Sequence, residues 1–381
     1  MSKTVETIDL LSSSPGARHQ LKVHRYGTPG ARPKAYIQAA LHADEYPAML
    51  VAHHLIERLD KLESTSQIIG EIVLVPVANP IGLGQRVNDR HLGRYDLAGG
   101  GNYNRNWPDL TDFVEQEVDG KLTSDPKQNV IRIREALQEA VANIQVRKEL
   151  DDLRKSLLGL SIGADIVLDL HSDSQALFHL YASVHHQKQA VELGCDLQAR
   201  AVLIETEAGG SPFDECNAGV WWKLNQRLGA QYPIPLACFS STVEHRGEQD
   251  VEDELATQDA DGLVRFLQRR GIIDGNPGPL PEPRCEPTPL EGTDLIYAPA
   301  AGLVVYHKQL GDWVEAGERV AELVDPFAAS ADQARTPLIS KATGLFFAHM
   351  GDRMVAPGAA LAKICGSTPL THREPGKLLE A

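Results

Sequence analysis

The chain has 381 residues, which is too long for one ordinary hydrophobic core and favours two domains. Its hydrophobic content of 42% is ample for burial in both. Its 52 acidic residues outnumber the 37 Lys and Arg and give a formal net charge of -15. This balance argues against nucleic acid or an anionic membrane as a partner, because both attract basic surfaces. The five scattered cysteines form no Cys-x-x-Cys pair, so neither a disulfide framework nor a thiolate zinc site is indicated. The N-terminus has no apolar signal core and no run approaches the roughly 18 apolar residues of a membrane span, so we expect a cytoplasmic protein.

The first informative junction joins a strand to a helix. Strands are predicted over residues 20–26 and 33–41, and the second is nearly all apolar, as is typical of a strand covered on both faces. It ends at His42, and Glu45 follows just before Pro47, where a helix with one apolar face begins. Two residue types that bind metals therefore lie three positions apart.

Two later strands also end in side chains that carry chemistry. The apolar segment 163–171 ends at His171, and the segment 235–244 ends at Glu244. A catalytic zinc site usually has three protein ligands, and two histidines with one carboxylate form a well-attested set. We expect His42, Glu45 and His171 to bind one zinc ion per subunit. Zinc lowers the pKa of a bound water to around 7, and Glu244 is the candidate base that takes the proton of this water.

Between these strands lies a long segment with little periodicity. A buried strand over residues 71–77 precedes Asn79-Pro80, a turn at the sheet edge where α/β proteins bind ligands. Residues 81–110 are polar and irregular, but their aromatic residues argue against disorder and favour a functional loop.

Residues 126–160 carry apolar side chains at alternating spacings of three and four, which predict an inserted helical arm. Its apolar stripe either packs on its own domain or contributes to a homo-oligomer interface. Further strands are predicted over residues 177–184 and 200–205, with helices over 220–228 and 259–270.

The Pro- and Gly-rich residues 275–289 predict a linker between a catalytic domain (1–274) and a C-terminal β domain (290–381). Beyond it, the pattern at residues 302–317 returns at 344–358 with an offset of 40 to 42 residues, which suggests the two halves of a small β-sandwich.

Five motifs together resemble the succinylglutamate desuccinylase/aspartoacylase family, whose members are relatives of the zinc carboxypeptidases. The motifs are His42-x-x-Glu45, Asn79-Pro80, Asn104-Arg105-Asn106-Trp107, Leu168-Asp169-Leu170-His171-Ser172 and Thr242-Val243-Glu244-His245-Arg246-Gly247. The resemblance implies an α/β fold with a zinc-carboxypeptidase-like, doubly wound mixed sheet. It also implies the same metal ligands and Glu244 as general acid/base.

The resemblance further assigns the substrate contacts. Asn104 and Arg105 would bind a substrate carboxylate, which suits the planar fork of arginine. Another arginine would polarise the scissile carbonyl and stabilise the oxyanion. We assign this role to Arg86, with Arg94 as the competitor.

The implied function is that of a zinc-dependent deacylase, which cleaves the amide bond of an N-acyl amino acid or a similar small carboxylate. The longer loop and the helical arm differ from the smallest family members, so the acyl group and the amine stay open. A carboxypeptidase acting on peptide C-termini is the alternative enzyme, and a metal-free binding protein is the alternative from another class. We also expect a homo-oligomer.

The C-terminal repeat resembles biotinyl/lipoyl-type domains, in which a lysine at the hairpin between the halves carries the cofactor. Residues 325–333 occupy that hairpin and contain no lysine. We therefore expect a structural or pocket-covering role for this region.

Overall fold

The structure, a computed structural model, describes residues 3–378. Most strands lie where apolar segments predict them. Those that precede residue 290 are β1 (Thr4–Asp9), β2 (Gln20–Gly27), β3 (Lys34–Ala39), β4 (Glu71–Val75), β5 (Arg86–Val87), β6 (Arg90–His91), β7 (Tyr95–Asp96), β8 (Gly101–Asn102), β9 (Ile166–Asp173), β10 (Gln175–Ala176), β11 (His179–Ser183), β12 (Ala201–Glu205), β13 (Phe239–Gly247) and β14 (Pro287–Pro289).

A nine-stranded sheet forms the centre of the molecule, in the order β1-β2-β4-β3-β9-β13-β11-β12-β14. Strands β4, β3, β9 and β13 are parallel to one another, whereas β1, β2 and β11 introduce antiparallel pairs. The predicted α/β class with a large mixed sheet is confirmed. Because β3, β9 and β13 are parallel neighbours, their carboxyl ends meet at one edge of the sheet.

Helices cover both faces of this sheet. They are α1 (Tyr46–Ser64), α2 (Pro80–Leu83), α3 (Thr111–Val118), α4 (Pro126–Ala142), α5 (Glu149–Ser161), α6 (Gln187–Leu197), α7 (Phe213–Leu228) and α8 (Asp253–Arg269). Helices α1, α6 and α8 contribute to one apolar core, and α3, α4, α5 and α7 contribute to the other. The buried apolar side chains of the central strands are thus covered from both sides.

The segment predicted as a helical arm consists of α4 and α5, separated by residues 143–148. The apolar side chains Ile133, Leu137, Leu153 and Leu157 are fully buried in the core on that face of the sheet. The arm therefore packs its apolar stripe on its own chain.

The C-terminal region forms two smaller sheets. Its strands are β15 (Thr293–Tyr297), β16 (Gly302–Tyr306), β17 (Trp313–Val314), β18 (Arg319–Val324), β19 (Arg335–Ile339), β20 (Gly344–His349), β21 (Met354–Val355) and β22 (Ala360–Gly366). The repeat is visible in the pairing: β17 of the first half pairs with β20 of the second, and β21 of the second half pairs with β16 of the first. One apolar cluster draws side chains from both smaller sheets.

Two strands connect these parts in ways that the sequence patterns did not predict. The last three residues of the segment 275–289 form β14, which pairs with β12 at the edge of the large sheet. An edge position tolerates the two prolines of β14 because one side of the strand needs no N–H donor. Strand β10, which follows β9 in the chain, lies outside the large sheet and pairs with β20. No helix among residues 3–378 is both long enough and apolar enough to cross a membrane.

Candidate active site

Three side chains that could bind a metal meet at the edge where β3 and β9 end. One potential ligand atom from each of His42, Glu45 and His171 lies within 4.8 Å of the others, and residues 3–378 contain no other such group of His, Cys, Asp or Glu. The Nδ1 atoms of His42 and His171 lie 2.8 and 2.7 Å from the two carboxylate oxygens of Glu45. All three side chains are at least 96% buried. This donor set suits a zinc ion.

The outer nitrogens of both histidine rings have their own neighbours. His42 Nε2 is 2.8 Å from the side-chain oxygen of Asn102, and His171 Nε2 is 2.9 Å from Asp169 Oδ2. An oxygen acceptor at Nε2 favours the tautomer that carries its proton there and leaves the Nδ1 lone pair directed at a metal. These neighbours therefore orient both rings for Nδ1 ligation.

The electrostatics of the metal-free group indicate an ion pair. Burial opposes charge on His171, but the carboxylates of Asp169 and Glu45 outweigh it and raise the pKa of His171 well above its ordinary value. Burial likewise opposes charge on Glu45, but His171 and His42 hold the pKa of this carboxyl well below its ordinary value. Burial, together with the charge of Arg94, lowers the pKa of His42. A divalent cation in this group would replace the proton on His171.

Glu244 lies on β13, directly beside His171 in the register of the parallel pair β9–β13. It lines the same cavity as the three candidate ligands. Its Oε2 atom is buried and has no hydrogen-bond partner among the residues that the structure describes. Burial, with the charge of Glu45 as the next cause, raises the pKa of Glu244 to about 8. A carboxyl group of this kind can exchange a proton near neutral pH.

The two arginines proposed for the oxyanion role lie in different surroundings. Arg94 lines the cavity, and its Nη1 atom is 2.9 Å from Glu45 Oε1 and 3.2 Å from His42 Nδ1. Arg86 is exposed on the β5–β6 hairpin and is not part of the cavity lining. Of the two arginines, the structure therefore places Arg94, the competitor, beside the candidate ligands, whereas Arg86 lies outside the cavity lining.

The loop that carries Arg94 is attached to the loop that carries the ligands. Gly93 N donates to Asp44 Oδ2 at 2.9 Å, and Ala43 N donates to Gly93 O at 3.1 Å. A Cβ atom at residue 93 would lie 2.3 Å from Asp44 N, so only glycine fits this approach. Asp44, which lies between two candidate ligands, thus holds the backbone next to Arg94.

Asn104 and Arg105 both line the cavity. Asn104 is buried; its side-chain oxygen accepts a hydrogen bond from Phe213 N at 2.8 Å, and its Nδ2 lies 3.3 Å from His171 Nε2. Arg105 Nη1 donates to the carbonyl of Asn104 at 2.8 Å, and Arg154 of α5 donates to the carbonyl of Arg105 at 2.6 Å. The helical arm therefore supports the predicted carboxylate-binding pair.

Several residues that line the cavity are not among the site residues predicted from the sequence. Lys363 of β22 comes from the C-terminal region, and its Nζ lies 2.6 Å from Asp173 Oδ2 at the end of β9. The lining also includes the acidic residues Glu205, Asp214 and Glu215. The cavity has a volume of about 90 Å³.

Comparison with known proteins identifies the lineage of this site. A sequence model of the Succinylglutamate desuccinylase/Aspartoacylase catalytic domain matches residues 31–218, which contain His42, Glu45 and His171. Residues 31–218 therefore carry the catalytic domain of the succinylglutamate desuccinylase/aspartoacylase family. Glu244 and the whole C-terminal region lie beyond this matched segment.

Relatives of known name or structure extend the likeness. The N-alpha-acetyl-L-2,4-diaminobutyric acid deacetylase of Halomonas elongata is 23% identical over 308 residues, which cover 78% of this chain and 72% of that protein. A succinylglutamate desuccinylase/aspartoacylase family protein from Shewanella amazonensis is 26% identical with a TM-score of 0.83, and it covers 96% of this chain and 98% of its own. A structure from Shewanella frigidimarina is 23% identical with a TM-score of 0.84, over 96% of this chain and 97% of its own. The fold is thus shared across nearly the whole chain, including the smaller sheets.

Proposed function

We propose that this family member is a zinc-dependent deacylase that cleaves the amide bond of an N-acyl amino acid or a similar small carboxylate. The proposal depends above all on the buried group of His42, Glu45 and His171, which shares one cavity with Glu244. The relative from Halomonas elongata is, by its name, a deacetylase of an N-acetylated amino acid, which supports the same reaction class here.

His42, Glu45 and His171 would hold the zinc ion, which when bound supplies a Lewis acid and lowers the pKa of a water molecule. Glu244 takes a proton from the attacking water and later delivers it to the amide nitrogen. The water oxygen forms the new bond to the acyl carbon, the C–N bond breaks, and a carboxylate and a free amine leave. The position of Glu244 beside His171, with a buried Oε2 atom that has no hydrogen-bond partner among residues 3–378, supports this double role.

Two groups of side chains would place the substrate. The guanidinium of Arg94, next to Glu45, would stabilise the negative charge that develops on the acyl oxygen. Asn104 and Arg105 would bind the carboxylate of the amino acid, with Asn104 oriented by its hydrogen bond from Phe213 N. A substrate held between these groups would present its amide to Glu244.

We also propose that the chain is divided into two domains. Residues 1–274 would form a carboxypeptidase-like catalytic domain, and residues 290–381 a β domain whose two small sheets stack as a sandwich around their shared apolar cluster. Residues 1–2 and 379–381 belong to these predicted ranges but lie outside the described part of the chain.

A substrate screen tests the proposed reaction. The zinc-loaded protein is incubated with N-acetyl, N-succinyl and N-formyl amino acids and with short peptides, and release of primary amine is measured. We expect hydrolysis of at least one N-acyl amino acid, and none after removal of the metal with a chelator. Hydrolysis of peptides alone would make the carboxypeptidase alternative correct.

Metal analysis separates the enzyme from a binding protein without catalysis. We expect about one zinc per chain, and we expect His171→Ala to lose both the metal and turnover. A purified protein without stoichiometric zinc, whose ligand binding survives His171→Ala, would overturn the proposal.

A further inference from the structure

The strand that carries Glu244 becomes irregular directly after this residue. In the pair β9–β13, Glu244 lies opposite His171, whereas Gly247 lies opposite Asp173. Three steps along β13 therefore match two steps along β9, so β13 contains one extra residue and forms a β-bulge. Bulges are frequent beside active sites, where they aim a side chain in a direction that a regular strand would not give it.

Arg246 lies within this bulge and has an unusual backbone conformation. Its φ angle is +65°, in the left-handed region. A residue with a Cβ atom adopts this conformation only at a cost in free energy, and arginine lacks the short polar side chain with which Asn or Asp stabilises it locally. Such a conformation persists where surrounding contacts hold it.

Asp259 of α8 supplies these contacts. Arg246 Nη1 donates to Asp259 Oδ2 at 2.7 Å and Nη2 donates to Oδ1 at 2.8 Å, while His245 Nδ1 lies 2.8 Å from Oδ2. Asp259 is 1% exposed and His245 is fully buried. A two-point arginine–carboxylate pair has a defined geometry, so it fixes the position of the guanidinium as well as its charge. One carboxylate thus binds both residues that follow Glu244.

An aromatic ring packs against the same two side chains. Phe178 is buried and immediately precedes β11, the neighbour of β13 in the sheet. Its ring centre lies 5.1 Å from Arg246 Cζ and 5.1 Å from the ring centre of His245. The two residues are therefore held between α8 on one side and Phe178 on the other.

This group acts from outside the active-site cavity. Among the residues 3–378, the cavity lining includes Glu244 but not His245, Arg246 or Asp259. Successive side chains of a strand point to opposite faces, so Glu244 faces the cavity while His245 faces α8. An effect of Asp259 on turnover must therefore reach the reaction through the backbone of Glu244.

We propose that Asp259 is a positioning residue: through His245 and Arg246 it holds the left-handed backbone at residue 246 and thereby keeps the Glu244 carboxyl directed into the cavity beside the candidate metal ligands. This role rests on the proposed deacylase function and extends it to a residue that contacts no substrate.

Two variants of Arg246 test the backbone part of this role. Arg246→Ala and Arg246→Gly both remove the guanidinium and leave His245 as the partner of Asp259. They differ in the Cβ atom, because glycine adopts a φ of +65° without strain and alanine does not. In the zinc-loaded protein, with the best N-acyl amino acid of the screen, Arg246→Ala should lower kcat about 10- to 100-fold. Arg246→Gly should keep a kcat at least about threefold above that of Arg246→Ala, and KM should change less than about threefold in both.

The alternative roles of Arg246 give different results. If its charge or a contact with the substrate mattered, both variants would lose the same activity, or KM would rise in both while kcat stayed unchanged. Either result overturns the proposal, as does an unchanged kcat in Arg246→Ala. Absence of hydrolysis by the unaltered protein would instead overturn the deacylase function, and this role with it.

A buried pair elsewhere on α8 provides the matched control for Asp259. Asp196 of α6 is 1% exposed and accepts two hydrogen bonds from Arg269 of α8, at 2.9 and 3.1 Å. We expect Asp259→Asn to retain zinc and to lower kcat about 10- to 100-fold. Asp196→Asn should keep kcat within about threefold, at a comparable loss of stability in denaturant unfolding. Equal losses of kcat in the two variants would assign the effect to general destabilisation and overturn the proposal.

A double-mutant cycle connects Asp259 to Glu244. If Asp259 acts only through Glu244, Asp259→Asn should lower the residual kcat of Glu244→Gln by less than about threefold, whereas an additional loss as large as in the unaltered background overturns the proposal. Arg246→Lys takes the place of any variant that does not fold, because it keeps the positive charge and gives up the two-point pair. It should lower kcat about three- to tenfold with zinc retained, and an unchanged kcat would count against the proposal in the same way.

Discussion

The position of Arg94 yields a sharp test of the proposed site. Its Nη1 lies 2.9 Å from Glu45 Oε1, whereas Arg86 is exposed on the β5–β6 hairpin. If Arg94 stabilises the oxyanion, Arg94→Ala should lower kcat about 10²- to 10³-fold, which corresponds to about 2.7–4 kcal/mol. Arg94→Lys keeps the charge without the planar fork and should lose less. Arg86→Ala is the matched control, and its kcat should stay within about threefold of the unaltered enzyme.

The assay must separate loss of chemistry from loss of metal, because Arg94 contacts a candidate ligand. Values of kcat and KM are measured on the best substrate of the screen, and zinc content is determined for each variant. We expect Arg94→Ala to retain zinc, since Glu45 keeps its contact of 2.7 Å with His171. A hundredfold loss in Arg86→Ala with little effect of Arg94→Ala would refute the reasoning and show that the hairpin moves into the cavity.

Three further predictions follow from other contacts. Glu244→Gln should retain zinc and lose about 10²- to 10⁴-fold in kcat, and full activity would refute its role as acid/base. Gly93→Ala should lower kcat, because its Cβ would displace the backbone of Asp44; unchanged kinetics would show that Arg94 does not depend on this approach. Asp259→Asn should cost about 3–5 kcal/mol in unfolding free energy, because Asp259 is buried against two donors of Arg246 at 2.7 and 2.8 Å. Burial alone would raise the pKa of Asp259, but hydrogen bonds from His245 and Arg246 outweigh it and hold the pKa below its ordinary value. This stabilisation is therefore present above about pH 4 and is lost as the pH falls through the folded-state pKa, so denaturant unfolding at pH 7 and pH 3 should differ more for the unaltered protein than for the variant.

Strand ends explain why much of the site could be predicted. His42, His171 and Glu244 each follow an apolar segment too uniform to be a half-exposed strand, so each was expected where a buried parallel strand ends. Parallel strands share one carboxyl edge, and the sheet indeed places β3, β9 and β13 side by side. The same argument applies to Glu205, which ends the buried strand β12.

The irregular loop explains why the sequence could not show which of the two arginines lines the cavity. Between residues 84 and 103 the backbone forms four strands of two residues each, which are too short for a periodic pattern to show which side chains face the cavity. The path of this loop is set by long-range contacts, such as the hydrogen bond from Gly93 N to Asp44 Oδ2. Arg94 follows Gly93 into the cavity, whereas Arg86 lies on the hairpin before it. Only the folded structure contains that information.

The strand that carries His171 is also connected to the C-terminal region. Beyond Asp173 the chain continues directly into β10, which pairs with β20 of the C-terminal region, and Leu177 N donates to Phe347 O at 2.8 Å. Because β22 is the neighbour of β20, this pairing places Lys363 beside Asp173, two residues from a candidate metal ligand. Sheet hydrogen bonds join this region to the segment that follows β9, unlike a mobile cofactor carrier, and its hairpin at residues 325–333 contains no lysine to modify. Attachment of this region to the cavity wall is consistent with both the sheet pairing and the position of Lys363. No local sequence pattern could predict the contact of Lys363 with Asp173, because 190 residues separate them in the chain.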